Sequence, residues 1–568
     1  PNELDNIFLS LKNKKKYYKL KSGDILDLFD PSLKELEELK EDLELDEEKG
    51  EIPKFRALYL DSLKRKNSFI KTNNLFDSFV KKFKEYKNAK VEFTTAENNL
   101  LRSYQKDGVK WLYNLYKCGL GGILADEMGL GKSLQSIIFI KKVLKEENNA
   151  KILIVTPTSL VYNWDNEFKK FSDDITRSIF VGNKKERVNK LKNYHGNIYI
   201  TSYGLLREDL EIYKNMAFKI MIIDEAQNIK NPTALLTKAV KSIKSEVKLA
   251  LTGTPIENTI LELWSIFDYI MPGFLANKTK FTEKYKINSD FDEDTNLVLS
   301  KLKKQVEPFI LRRKKNEVLK DLPEKLENNI YIDLNDEEKK IYASLVKETK
   351  DEMENLIGES FSKNKIQILS LLTKLRQVCI DPKIIFDNYT KTSSKIEHLI
   401  DVVKEAIDNG HKILLFTSFK TALNIVKDSL TKEGITSYVI DGSVSSKKRQ
   451  ELVDKFNIDD TNIFLIMLKS GGTGLNLTSA DIVIHLDLWW NPQAENQATD
   501  RAHRIGQKNT VEVIKLITKG TIEEKILNLQ EKKKILSDKL IEQDADEYKS
   551  FQNLSVDDIR ELLKFNNE

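Results

Sequence analysis

At about 150 residues per domain, the chain's 568 residues leave room for about three to five structural units with sizeable cores. Charged residues make up 32%, above the ~25% of ordinary globular domains, yet the formal net charge of +4 neither points to nor excludes a nucleic-acid partner. Cys118 and Cys379 are the only cysteines, which argues against a disulfide framework or structural zinc and suits a reducing compartment. No window reaches the ~18 to 20 apolar residues of a membrane span, and none reads as a signal peptide.

Residues 1–95 read as a helical accessory segment. In PSLKELEELKEDLEL the leucines Leu33, Leu36, Leu39 and Leu43 fall on one helical face. The first residue is Pro1 rather than methionine, which points to further sequence upstream. Over 96–275 short β-branched runs alternate with helical stretches: GGILA, KILIV, NIYITS, KIMIID and KLALTG read as buried parallel strands. Residues 276–390 read as helical protrusions and an interlobe linker, because a structureless connector of that length is improbable in a compact protein. A second strand series, KILLFT, TSYVID, IFLIML, IVIHLD and VEVIKLI, fills 391–540. The fold class is therefore α/β with two lobes. In TIEEKILNLQEKKKILSDKLI, Thr521 and Glu524 are spaced as a capping box. Ile522, Ile526, Leu529, Leu536 and Leu540 form an apolar stripe behind it, and 541–568 reads as a C-terminal brace or tail.

The stretch LADEMGLGKS, 124–133, resembles a phosphate loop with Asp126 where the first glycine of G-x-x-x-x-G-K-[ST] should stand. A strand leading through a glycine turn into a helix presents backbone N–H groups to an anion. Gly129 and Gly131 allow close approach, Lys132 can reach the β- and γ-oxygens, and Ser133 can ligate Mg²⁺. MIIDEAQNIKN places Asp224 and Glu225 at the tip of an apolar strand, where ligands of open α/β sheets bind. Asp224 is suited to hold Mg²⁺ and Glu225 to orient or deprotonate a water. A lone D-E pair commonly just caps a helix, but this one follows a phosphate loop in the same lobe. In LTGTPIEN, Thr252 and Thr254 flank Gly253 as sensors of the γ-phosphate. In QATDRAHRIGQ, Arg501 and Arg504 are three apart, so one helical turn can aim both at one place.

The ordered set LRSYQKDGVKWL, DEMGLGKS, DEAQNIKN, LTGTPIEN, FILRRKKNEVLKDLP, GGTGLNLTSAD and WWNPQAENQATDRAHRIGQ closely resembles the Swi/Snf-type ATPases of helicase superfamily two, over about residues 98 to 530. In that family the phosphate loop reads D-E-M-G-L-G-K, so Asp126 is expected there, with a local turn contact and no catalytic duty. The resemblance implies two RecA-like lobes with ATP and Mg²⁺ between them and double-stranded DNA across both. Lys132, Asp224, Glu225, Arg501 and Arg504 would be catalytic. Arg102 and Gln105 would frame the adenine, and Asp126, Met128, Gly129, Leu130, Gly131, Lys132, Ser133 and Gly474 would complete the nucleotide site. The DNA-facing segments would be carried by Thr156, Pro157, Thr201, Ser202, Thr417, Ser418, Asp441, Gly442, Lys469, Ser470, Gly471 and Trp489. Trp490 lies beside the same track, with core packing as the rival reading for one tryptophan of the two. The N-terminal segment looks like the end of a bacterial helicase-associated region.

The lysine-rich LRRKKNEVLK, 311–320, reads by default as a solvated face, and the family pattern turns it toward a hinge or phosphate contact. His485 and His503 read as structural. The functional expectation is a DNA-stimulated Mg-ATPase translocating on duplex DNA without obligatory strand separation. It would act as a cytoplasmic, nucleoid-associated monomer, with DNA-bound proteins as further partners and no membrane. A strand-separating helicase and a nucleotide-gated scaffold are the rival readings.

Overall fold

Two parallel sheets organise the computed structural model, which describes residues 15–29, 53–64, 71–85, 91–253, 260–285, 293–319, 323–468, 475–490 and 492–531, with four positions before residue 15. The first sheet contains β3 (Gly122–Leu124), β4 (Ile152–Thr156), β5 (Arg177–Phe180), β6 (Ile198–Ser202), β7 (Phe218–Asp224), β8 (Ser245–Leu251) and β9 (Ile310–Leu311). They lie in the order β5-β6-β4-β7-β8-β3-β9, and every pairing is parallel. Helices cover both faces, so the central strands are buried on both sides and read as unbroken apolar runs.

The second sheet orders β10 (Lys325–Ile332), β11 (Ile413–Thr417), β12 (Ser437–Ile440), β13 (Ile463–Met467), β14 (Ile482–His485) and β15 (Val511–Thr518) as β10-β15-β14-β11-β13-β12. All its pairs are parallel too. The expected strand runs of both lobes are all present. β5, β9 and β10 are additional. Two of these lie inside the segment read as helical, which thus supplies one edge strand to each sheet. The chain crosses between the lobes from β9 to β10.

The N-terminal part also departs from an all-helical reading. β1 (Tyr17–Lys19) and β2 (Ile25–Asp27) form an antiparallel hairpin, turned by Ser22-Gly23-Asp24 with Gly23 at φ 98°. The helices Ala57–Lys64 and Asn74–Lys84 then deliver Leu58, Val80 and Phe83 to the core of the first lobe. The Leu33–Leu43 face lies outside the described residues.

After β10, the helix Asp336–Ile380 runs 45 residues. Its start is a reciprocal cap: Asn335 Oδ1 accepts from Glu338 N at 2.9 Å and Glu338 Oε2 accepts from Asn335 N at 2.9 Å. Its C-terminal turns bury Leu372, Leu375 and Val378 against Leu488, Ile522 and Ile526. Ile522 and Ile526 therefore pack within the second lobe and not across both lobes as the stripe suggested, while Leu536 and Leu540 fall outside the described residues. The cap there is shifted from the expected box. Thr521 Oγ1 accepts from Glu523 N at 3.2 Å, and Glu524 accepts from Gly520 N at 3.0 Å rather than from Thr521. Glu523 is held instead by the buried Lys395 ammonium, 2.6 and 2.7 Å from its two oxygens. Among the described residues no helix is long and apolar enough to cross a membrane.

Candidate nucleotide site between the lobes

The phosphate loop follows β3 and ends at the helix Lys132–Glu146. Gly129 and Gly131 adopt φ of 88° and 79°, a left-handed backbone that side chains other than glycine's disfavour. Space demands glycine as well, because a Cβ on Gly131 would lie 2.6 Å from Gln105 Nε2. Gln105 is buried; its amide donates to Leu130 O at 3.1 Å and accepts from Arg102 N at 3.0 Å. Of the two residues assigned to the adenine, Gln105 thus frames the loop backbone, and Arg102 is tied to it through Gln105. Met128 packs against Gly253, whose Cβ would stand 3.1 Å from Met128 Cγ. Lys132 Nζ donates to Asp126 O at 2.7 Å. Burial lowers the Lys132 pKa, and the nearby Glu225, Asp126 and Asp224 oppose that shift.

Asp126 does not make the expected local turn contact. Its fully buried carboxylate pairs with Arg313, 187 residues away: Nε reaches Oδ1 at 2.8 Å and Nη2 contacts Oδ2. Gln135 Nε2 adds a bond to Oδ2 at 3.0 Å. A charged aspartate can stay buried here because an arginine and an amide satisfy its oxygens. Gly108 makes room for the knot, since a Cβ there would fall 1.8 Å from Gln135 Oε1.

Asp224 ends β7. Its Oδ2 accepts from the Trp164 indole N–H at 2.9 Å and its Oδ1 from Glu225 N at 2.9 Å. Burial and the adjacent Glu225 push its pKa up to about 6, against the opposing pull of Trp164 and Lys132. Glu225 is held at φ 51°, a strained left-handed backbone for a residue other than glycine. Gln227 links Glu225 to the next strand end: its Nε2 donates to Glu225 Oε2 at 2.8 Å and its Oε1 accepts from Thr252 Oγ1 at 3.1 Å. Thr254 falls outside the described residues. Ser133 is the second residue of the phosphate-loop helix. Among the described residues, no group of three or more His, Cys, Asp or Glu is placed to hold a metal alone.

The second lobe faces this site with its arginine turn. A Cβ on Gly129 would lie 3.0 Å from Arg504 Cγ, so the two lobes meet at the loop itself. Arg501 is buried; burial lowers its pKa to about 10 while Glu225 opposes the shift. The two arginines do not share a helical turn as expected. The helix Pro492–Thr499 stops before them. His503 N still donates to Thr499 O at 3.1 Å, but Arg504 N donates to Ala502 O at 3.0 Å, so the backbone turns out of the helical pattern between the two arginines. Beyond it Leu477 N donates to Arg501 O at 3.1 Å and Lys315 Nζ to His503 O at 2.6 Å.

Three family models match the chain in order. Residues 1–93 match the bacterial SNF2 helicase associated family, 104–384 the SNF2-related domain and 394–506 the helicase conserved C-terminal domain. The chain belongs to the SNF2 family. It is 40% identical over 492 residues to the "Uncharacterized ATP-dependent helicase" of Mycoplasma pneumoniae, covering 86% of this chain and 47% of that protein. It is 39% identical over 475 residues to YwqA of Bacillus subtilis, covering 82% and 50%; the name of that protein pairs ATP-dependent helicase with translocase. The chain spans about half the length of these curated relatives. Among solved structures it aligns with the "Sulfolobus solfataricus SWI2/SNF2 ATPase core in complex with dsDNA" at 36% identity, covering 82% of this chain and 97% of that one, with a TM-score of 0.39.

In this SNF2 chain the described residues assigned to DNA, Trp489 apart, lie at or just beyond the C-terminal ends of strands in both lobes. Thr156, Thr201, Ser202 and Thr417 are buried there. Thr201 Oγ1 donates to Phe180 O at 3.2 Å, Ser202 Oγ accepts from Leu205 N at 3.4 Å, and Thr417 Oγ1 donates to Asp487 at 2.8 Å. The surface at these ends is made by their neighbours, with Pro157 and Ser418 half-buried and Thr158, Gly442 and Ser443 exposed. Asp441 is held well below the usual carboxylate range, first by Ser443 and then by Lys420. Ser446 Oγ donates to Thr158 O at 3.3 Å and joins the two lobes along this face. Lys469, Ser470, Gly471 and Gly474 lie outside the described residues. Trp490 is buried, and the half-buried Trp489 ring stands 5.4 Å from the Arg376 guanidinium. His485 is buried, stacked on Phe416 and 3.2 Å from Thr499 Oγ1. The hinge expectation for 311–320 covers Arg313 and Lys315 without naming their partners, and sequence reasoning missed the Trp164 bond to Asp224; in each case the partner is distant in the chain.

Proposed function

We propose that this chain is the motor of a DNA-stimulated Mg-ATPase that translocates on double-stranded DNA without obligatory strand separation. It would work as a monomer in the cytoplasm and act on DNA-bound proteins. The observation that carries this reading is the approach of Arg504 to Gly129. A nucleotide site whose second wall comes from another lobe ties hydrolysis to lobe closure.

In this reading the N–H groups and Lys132 of the first lobe bind the phosphates, Glu225 orients the attacking water, and Arg501 and Arg504 stabilise the charge that develops in transfer. Asp224 and Ser133 would hold Mg²⁺, which when bound neutralises phosphate oxygens. The residues fit such an ion. They offer hard oxygen donors, and the adjacent carboxylates of Asp224 and Glu225 are both buried, a repulsion that a cation relieves. DNA would lie on the face joined by Ser446 and Thr158 and be held through its backbone, so binding should be sequence-tolerant. Its salt dependence would then have a log–log slope of about −0.9 per phosphate neutralised.

The relatives' helicase names favour strand separation as a second reading. Triplex displacement measured beside a fluorophore–quencher unwinding assay tests the choice. Displacement without unwinding is expected, and unwinding at a comparable rate would overturn it.

A further inference from the structure

We propose that Lys315 is a positioning residue that clamps the arginine turn of the second lobe onto the phosphate loop. The inference rests on the ATPase reading above and adds a part to it. The crossing segment is zipped to the loop before it leaves the first lobe: Ala125 N donates to Leu311 O at 2.7 Å and Glu127 N to Arg313 O at 3.0 Å. Lys315 N then donates to Glu127 Oε2 at 2.7 Å. From this anchored backbone the Lys315 ammonium reaches the other lobe, donating to Asp500 Oδ1 and His503 O, each at 2.6 Å.

These two acceptors flank the arginines. Asp500 precedes Arg501 and His503 precedes Arg504, so fixing both acceptors fixes where both guanidinium stems begin. The Lys315 side chain is only 6% exposed, and its Cε would lie 3.4 Å from a Cβ on Gly129. It therefore stands in the interface itself, where a solvated lysine has no place. A small apolar cluster seals the same junction: Leu130 from the loop packs with Leu319 from the crossing segment, with Ile505 of the second lobe against them. The lysine is thus held by one lobe and grips the other, beside the reacting centre but without a required contact to substrate.

The test pairs steady-state turnover with an interlobe distance. Donor and acceptor dyes go on cysteines introduced at Asn149 and Glu433, exposed positions on the two lobes, while native Cys118 and Cys379 are buried. Lys315→Met should lower kcat at saturating ATP and duplex DNA by about tenfold or more, because arginines released from their position lose alignment with the reacting phosphate. Its KM for ATP should stay within about twofold, and the dye separation should shift to longer distances. Lys315→Arg should keep the short distance and most of the turnover, and Asp500→Asn should reproduce the Lys315→Met shift. The double variant should be no worse than Lys315→Met, the signature of one shared interaction. An unchanged distance distribution in Lys315→Met, or single effects that multiply in the double variant, would overturn the clamp. If the parent chain shows no DNA-stimulated turnover, the proposed function fails, and the distance measurement still decides the clamp.

Discussion

The Trp164 indole donates a hydrogen bond of 2.9 Å to the Asp224 carboxylate, joining the helix after β4 to the end of β7. Trp164 is fully buried in the helix Val161–Phe171, the first helix after Thr156 and Pro157, so the chain that carries those two residues is tied to the acidic end of the nucleotide site. A hydrogen bond to a charged group contributes about 1.5–3 kcal/mol. Trp164→Phe keeps an aromatic ring beside Phe168 and removes the donor. DNA-stimulated turnover should fall about tenfold or more. Steady-state hydrolysis checks this, and turnover within about twofold of the parent would contradict it.

The Asp126–Arg313 pair is the second coupling, and it predicts a stability effect. Removing one member of a buried ion pair costs about 3–5 kcal/mol, because the other charge is left unmet. Arg313→Ala should therefore lower the urea midpoint markedly. Arg313→Ala combined with Asp126→Asn should recover part of the loss, since the uncompensated charge is gone. A denaturant titration of the three chains measures both.

How far the sequence could be read follows from where each residue's partners lie. β7 was legible because KIMIID is an unbroken apolar run buried on both faces, and the acidic pair at its tip is local to it. β10 was not, because KLENNIYI is a polar edge strand with Leu326 and Tyr331 exposed, and it becomes a strand only by pairing with β15. β9, two residues long, carries no period at all. In the site, Lys132 and Ser133 announce themselves through the spacing of a single loop. Arg313 and Lys315 look like any lysine-rich surface run until Asp126 and Asp500 arrive from far along the chain. The three-residue spacing of Arg501 and Arg504 fits a helical turn, and nothing in the local sequence marks the break at Arg504, whose N–H turns to Ala502 O.

His485 should give the second lobe a pH-dependent stability. Burial lowers its pKa from 6.5 to about 3. Between those values the unfolded chain binds a proton that the folded one refuses, so the contribution is fully present above about pH 6.5 and is lost as pH falls. By pH 5 the loss should be about 2 kcal/mol. His485→Gln should unfold with less of this slope between pH 7 and 5, whatever its starting stability. Equal slopes in the two chains would contradict the assignment.

Substitutions in the proposed machinery should separate binding from turnover. Glu225→Gln should abolish hydrolysis while retaining nucleotide, whereas Lys132→Ala should also lose hydrolysis. Arg504→Ala should lose turnover by about 10³-fold with little change in ATP binding, because its contact is realised in transfer. Fluorescent-nucleotide binding beside hydrolysis distinguishes the cases. Full activity in Arg504→Ala would remove the second wall from the mechanism.

The central claim is that hydrolysis at the interlobe site is coupled to duplex DNA. Its most direct test is steady-state ATP hydrolysis by the purified chain, titrated in turn with duplex and with single-stranded DNA at fixed salt. A large rise in kcat with duplex, and a smaller one with single strands, is the predicted result. Hydrolysis at the same rate with and without any polynucleotide would contradict the account.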